Sequence, residues 1–221
     1  MIRGIVLVII YLASLVTILF VSAGRVDWPM GWASLGIYIL ISIINFMLAD
    51  PTLVKERAQM RTGVDIRDMV LASLSFLFFF PLTLLVAGLD IGRYAWSPTI
   101  AFIVQVIALV VFTLGNVIGS WAMVRNKYFS TFLRIQKDRD HKVITSGPYQ
   151  WVRHPGYAGV ILASIALPIS LGSLWALVPA IVGACGFVIR TFFEDRTLME
   201  ELGGYREYAH SVRFRLLPGI W

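Results

Sequence analysis

Five stretches of this chain, residues 4–24, 28–49, 69–89, 94–124 and 154–189, contain no Asp, Glu, Lys or Arg. Each reaches the ~20 residues that an α-helix needs to cross ~30 Å of hydrocarbon. Backbone in lipid must satisfy its own hydrogen bonds, so such runs are expected to be helices. Charged residues make up only 14% of the 221 positions, against about 25% in soluble domains. The chain therefore reads as an all-α integral membrane protein with five to six transmembrane helices. The 4–24 run has no small-residue cleavage site and is followed by more spans, so it reads as a helix and not as a signal peptide.

The formal net charge is +6. The basic residues fall between the apolar runs, which makes them orientation signals and argues against a nucleic-acid partner. If the 50–68 loop is cytoplasmic, both termini and the 125–153 connection follow it there. Of the 19 Lys and Arg residues, only Arg25 and Arg93 are then outside, as the positive-inside rule expects. Trp28 and Trp32 suit an interfacial belt. Cys185, the single cysteine, reads as a small buried hydrophobe.

Pro81 is expected to kink the third helix. A short outer loop then carries Asp90, Arg93 and Trp96, and the fourth helix covers about 97–123. The 50–68 loop, with Lys55, Glu56, Arg57, Arg61 and Arg67, reads as a solvated helical piece. Residues 124–153 form one long polar connection, and connections of that size are usually functional. The 154–189 run would measure ~54 Å as one straight helix. Ser170-Leu171-Gly172-Ser173 is a turn signal inside it. Two helices are expected, about 157–170 and 173–193, as a re-entrant or spanning hairpin, the first of them short for a full crossing. The 194–221 tail reads as a cytoplasmic helix and a cap. Residues 1–123 thus form the N-terminal helices, and 124–221 hold the polar connection, the last apolar run and the tail.

Chemistry-bearing residues gather at the two ends of the last apolar run. Arg153-His154-Pro155-Gly156-Tyr157 is a loop entering a helix: proline suits the first turn and glycine permits close approach. A helix N-terminus favours an anion, and Arg153 and His154 would add donors. Residence at the lipid headgroups is the plain alternative. Arg190 and Glu194 share a helix face. They read either as an intrahelical ion pair or, at that membrane depth, as the lining of a cavity. A carboxylate there could take a ribose diol or offset a sulfonium charge. Asp195 points elsewhere on the helix. Ser164, Ser170 and Ser173 read as helix-packing residues. His141, His154 and His210 are not spaced as a metal set, and no metal is expected.

The string Val143-Ile144-Thr145-Ser146-Gly147-Pro148-Tyr149-Gln150-Trp151-Val152-Arg153-His154-Pro155-Gly156-Tyr157-Ala158-Gly159 resembles the signature of isoprenylcysteine carboxyl methyltransferases and related phospholipid methyltransferases. The tail agrees in order, with Glu194-Asp195-Arg196-Thr197-Leu198, Leu202-Gly203-Gly204-Tyr205-Arg206-Glu207-Tyr208, Val212 and Pro218. Where the family often has two glutamates, this chain has Glu194-Asp195. The resemblance implies a helical membrane enzyme that binds S-adenosylmethionine at the cytoplasmic face. The acceptor would be a lipophilic molecule such as a prenylcysteine, a phospholipid or a thiol. The cofactor pocket would then involve Gln136, His141, Lys142, Val143, Ile144, Tyr149, His154, Pro155, Gly156, Tyr157 and Glu194. Arg190 would face the acceptor as the catalytic residue. Two rival readings stand beside it. A sterol-reductase-like NADPH enzyme also uses an Arg-His-Pro-x-Tyr turn, but tends to have Asn where this chain has Gly156. The other rival is a non-catalytic membrane scaffold.

Overall fold

The computed structural model describes residues 2–50 and 66–221. Among them there are helices, turns and loops but no strand. The helices are α1 (Ile2–Ala23), α2 (Pro29–Leu48), α3 (Ile66–Tyr94), α4 (Phe102–Arg125), α5 (Pro155–Leu171), α6 (Leu177–Glu201) and the short α7 (Tyr205–Ser211). Five of them, α1, α2, α3, α4 and α6, are long and apolar enough to cross a membrane. α5 is apolar but shorter, at 17 residues. Lys55, Glu56, Arg57 and Arg61, and with them most of the 50–68 helical piece, lie outside the described residues.

α3 absorbs its proline with a local change of helix type. A π-helical turn over Phe78–Leu82 contains Pro81, whose ring nitrogen has no proton to donate. Thr83 Oγ1 donates to the Phe78 carbonyl at 2.9 Å, a side-chain bond to the backbone of the same π-helical turn. A second π-helical turn, Leu89–Tyr94, carries the helix past its expected end. Asp90 is therefore not an outer-loop residue. It is fully buried and accepts hydrogen bonds from the Ser97 N–H at 2.8 Å and from the Ser97 and Ser173 hydroxyls, both at 2.5 Å. An unpaired carboxylate there would cost several kcal/mol. These donors allow it to clamp the ends of α3 and α5.

Small residues set the helix spacing. α4 and α5 make the most extensive helix contact. A Cβ added to Gly159 would lie 2.5 Å from the Gly115 carbonyl and 2.7 Å from the Gly119 nitrogen, so the two backbones touch. Gly183 of α6 is equally close to α3, its Cβ position lying 2.7 Å from the Phe79 nitrogen. This is membrane-type packing, in which van der Waals fit replaces the hydrophobic drive between helices. Cys185 corrects its expectation. Its neighbours Gly183 and Gly186 face α3, so Cys185 projects outward and is exposed. Trp28, by contrast, is buried, while Trp32 is half exposed.

The interior is apolar, with Leu15, Leu19, Phe80, Leu84, Phe112, Leu167 and Phe187 at its centre. The outward faces are apolar too, through Val21, Leu40, Phe102, Val110 and Val178 among others. A helix hydrophobic all round belongs in a large core or a membrane. α5 ends at Gly172, in the left-handed region at φ 83°, as the turn signal predicts. α6 then runs unbroken to Glu201. Glu194 and Asp195 consequently lie on the same helix as Arg190, and not on a separate tail helix. The start of α3, the 126–154 connection, the end of α6 and the tail gather at one end of the bundle.

Candidate functional site

That end holds a pocket of about 230 Å³. Its walls come from the connection, from the start of α5 and from α6. His141, Lys142, Val143, Ile144, Tyr149, His154, Gly156, Tyr157, Arg190 and Glu194 all line it. Two other expected residues do not. Pro155 is buried in the first turn of α5. Gln136 is fully buried in the connection: its Nε2 donates to the Tyr128 carbonyl at 2.8 Å, and its Oε1 accepts from Arg139 at 2.5 Å. It holds the loop together from inside.

The connection keeps its shape through such side-chain bonds. Tyr128 donates to the Asp140 carbonyl at 2.6 Å, and its ring lies 4.3 Å from that of His141. Burial, with the Arg139 and Arg134 guanidiniums nearby, lowers the His141 pKa to about 4. The ring is neutral at physiological pH. Lys142 pairs with Asp140 at 2.7 Å in solvent. Among the described residues, no protein group pairs with the main-chain N–H or C=O of Val143 and Ile144. The Tyr149 hydroxyl accepts from Asn126 at 3.1 Å, and its carbonyl accepts from Tyr208 at 2.7 Å. Burial raises the pKa values of Tyr149 and Tyr208. Both phenols stay protonated.

Gly156 lets the Phe129 ring pack close against the first turn of α5. A Cβ there would lie 2.6 Å from the Phe129 ring. One turn into α5, Tyr157 donates to Glu194 Oε2 at 2.6 Å. Glu194 Oε1 stands 4.0 Å from His154 Nδ1. The Glu194 side chain remains 28% exposed, towards the pocket. Tyr157 thus bridges the start of α5 to the acid on α6 and brings the ends of the last apolar run together.

Beneath the pocket lies Asp195, which sequence reasoning set aside as pointing elsewhere. It does point away from the cavity, and that is its role. The side chain is 1% exposed. Oδ1 accepts from Arg153 Nε at 2.8 Å and from Tyr205 at 2.9 Å, and lies 3.1 Å from His154 Nε2. Oδ2 accepts from Arg153 Nη2 at 3.0 Å and from Arg215 at 2.8 Å. Arg153 Nη1 donates to the Val212 and Arg213 carbonyls at 3.0 and 2.9 Å. The N–H groups of Arg153 and His154 donate to the Phe214 and Arg215 carbonyls, both at 2.9 Å. Arg153 has spent four of its five donors on the fold. It anchors the tail and is not available as a free anion-binding fork.

Arg190 does not pair with Glu194 as its spacing suggested. Its guanidinium forks onto Asp68 of α3, with Nε and Nη2 at 2.9 and 3.1 Å from the two oxygens. Asp68 went unnoticed inside the 50–68 loop. The signal was available: Asp68 and Arg190 are opposite charges, each at the edge of an apolar run. Among the described residues, no group of three or more His, Cys, Asp and Glu is placed to hold a metal ion.

Residues 106–201 match the isoprenylcysteine carboxyl methyltransferase (ICMT) family. The chain is similar to a probable protein-S-isoprenylcysteine O-methyltransferase of Oryza sativa subsp. indica, 32% identical over 117 residues, covering 49% of this chain and 59% of the relative. It is 30% identical over 107 residues to protein-S-isoprenylcysteine O-methyltransferase B of Arabidopsis thaliana, covering 47% of this chain and 54% of the relative. It is also 30% identical over 116 residues to the protein-S-isoprenylcysteine O-methyltransferase of Schizosaccharomyces pombe, covering 49% and 47%. The chain thus spans about half the length of these curated relatives. The matched segment carries Tyr157, Arg190 and Glu194, all of which line the pocket, and over that segment the chain resembles the isoprenylcysteine carboxyl methyltransferase family.

Proposed function

We propose that the chain transfers a methyl group from S-adenosylmethionine to the carboxylate of a lipophilic acceptor of the prenylcysteine class, at the cytoplasmic face of a membrane. The observation that carries this reading is the Tyr157–Glu194 hydrogen bond. It ties the start of α5 to α6 and leaves a carboxylate facing a pocket walled by the 141–144 loop, which supports the hairpin reading. In this reading residues 124–221 form the catalytic region and residues 1–123 support it.

The residues fit the donor. A zwitterionic sulfonium nucleoside needs an apolar slot, main-chain partners for its base and an acid for its diol or positive charge. Val143, Ile144, Leu198 and Leu202 supply the slot. The main-chain groups of Val143 and Ile144, unpaired among the described residues, suit the edge of a base. Glu194, oriented by Tyr157, is the acid. His154 is fixed by Asp195 at the N-terminus of α5, where a carboxylate would be favoured. When bound, the donor supplies an electrophilic methyl group. The protein's part is to position the reactants and exclude water. Arg190 would orient the acceptor carboxylate, and Phe76, Phe132 and Phe187, which also line the pocket, suit its hydrocarbon part. The printed names of the relatives favour a prenylcysteine over a phospholipid amine or a small thiol.

Calorimetry on the detergent-solubilised chain tests the donor. S-adenosylmethionine should bind, NADPH should not, and Glu194→Ala should weaken binding at least tenfold. Unchanged binding in that variant would remove Glu194 from the site. A radiolabelled methyl-transfer assay on prenylcysteine analogues and on lipid extract then identifies the acceptor, with Arg190→Ala as the control.

A further inference from the structure

The pocket-lining arginine is held by a residue outside the segment that matches the family. Asp68 Oδ1 accepts from Arg190 Nε at 2.9 Å, and Oδ2 accepts from Nη2 at 3.1 Å. The second Nη2 hydrogen goes to the Thr131 carbonyl at 3.0 Å. Asp68 Oδ2 also accepts the Leu133 N–H at 2.7 Å, so one carboxylate fixes both the guanidinium and the loop beside it. Three of five N–H donors are committed. Among the described residues no protein partner is found for Nη1, and Arg190 lines the pocket. The guanidinium carbon sits 5.5 Å from the Tyr157 ring centroid, which further limits how it can turn.

We propose that Asp68 is a positioning residue that makes Arg190 an end-on, single-nitrogen clamp for the acceptor's carboxylate. This rests on the reading of the acceptor as a prenylcysteine-class acid. A free guanidinium takes a carboxylate through two parallel hydrogen bonds and engages both oxygens. That is a poor arrangement for methylation, because charge-assisted hydrogen bonds to both oxygens make each of them a weaker nucleophile. Asp68 occupies the Nε/Nη2 edge, and Thr131 takes the remaining Nη2 hydrogen. An incoming carboxylate meets Nη1 alone: one oxygen is held, and the other, free of hydrogen bonds to Arg190, stays the stronger nucleophile. Its lone pair forms the O–CH₃ bond as the methyl–sulfur bond breaks, and the breaking pair stays on sulfur. The charges −1 and +1 cancel, and no proton moves. The negative charge of Asp68 also offsets the guanidinium, so the acceptor is not over-stabilised in its ground state.

The test uses the full chain in detergent or nanodiscs, with N-acetyl-S-farnesylcysteine and its carboxamide as probes. Asp68→Asn should lower the acceptor KM several-fold, because a two-pronged grip becomes possible. It should also lower kcat by about 10- to 100-fold, the cost seen in the analogous case when residues that orient metal ligands lose their partner. Without donor present, the preference for carboxylate over carboxamide should rise in this variant. In an Arg190→Lys background the same substitution should add less than about twofold, because residues acting through one another are non-additive. Asp68→Glu, which keeps the charge, should recover part of kcat and covers the case in which the Asn variant does not fold. A raised KM with unchanged kcat, or full additivity with Arg190→Lys, would overturn the proposal. If the wild-type chain methylates no farnesylcysteine, the functional reading fails on its own. The positioning role is then read from solvent exchange of the Arg190 Nε–H by NMR: slow in wild type and fast in Asp68→Asn supports it, fast in both overturns it.

Discussion

Asp195 shows how much one buried side chain decides here. Four side chains converge on its two oxygens, and it gathers the start of α5, α7 and the tail around the end of α6. Removing it would leave the Arg153 guanidinium, itself 4% exposed, without its counter-charge. Breaking a buried pair from one side costs about 3–5 kcal/mol. Asp195→Ala is therefore expected to lower the melting temperature sharply, measured by thermal unfolding in detergent, whereas Tyr205→Phe should cost only about 1 kcal/mol. His141 acts in the opposite direction. Its pKa is lowered to about 4 from an ordinary value near 6.5. Between those values the unfolded chain takes up a proton that the folded chain does not, so stability rises with pH across the window and falls on acidification. Hydrogen exchange at residues 136–144, corrected for intrinsic rate, should speed up between pH 6.5 and 4. A His141→Gln variant should lose this dependence.

At the scale of elements, contact between α4 and α5 depends on glycine. Gly159 has backbone atoms of α4 where its Cβ would be. Gly159→Ala must push the helices apart, and overpacking of this kind costs about 1–3 kcal/mol. The pocket lies at one end of the same pair, between the 126–154 connection and the start of α5. The substitution should accordingly weaken S-adenosylmethionine binding as well as stability, read together by calorimetry and melting. At Gly36 a Cβ would meet nothing within 4 Å, and Gly36→Ala should leave both readings near wild type. The clamp of Asp90, Ser97 and Ser173 at the other end of the bundle is distant from the pocket. Asp90→Asn should lower the melting temperature while leaving donor affinity within about twofold, since well-separated sites behave independently.

For the whole molecule, the tail matters as much as the helices. Carbonyls of Val212, Arg213, Phe214 and Arg215 receive hydrogen bonds from Arg153 and His154. A chain ending after Ser211 is expected to lose these acceptors, with a lower melting temperature and weakened donor binding. Orientation can be tested on intact cells with single cysteines in a Cys185→Ser background. Under the proposed topology, a cysteine at Lys142 is shielded from impermeant maleimide until the membrane is broken, whereas one at Trp96 labels at once. The reverse pattern would place the pocket on the outer face.

Hydropathy alone was enough to read an all-helical membrane chain with five long spans, because lipid admits few other solutions for a polar backbone. The turn at Gly172 was legible for a similar reason: few residues tolerate a left-handed helix end. His154, Tyr157 and Glu194 could be named from local pattern, since motif chemistry is carried by residue type and spacing. Pairings across the bundle could not be read this way. Whether Arg190 meets Glu194 four positions away or Asp68 in another helix depends on how α3 and α6 pack. The role of Asp195 depends on where the tail returns, and the depth of Asp90 on one extra π-helical turn. Those choices rest on steric contacts and desolvation between segments far apart in the chain, and only the folded arrangement brings such segments within hydrogen-bonding distance.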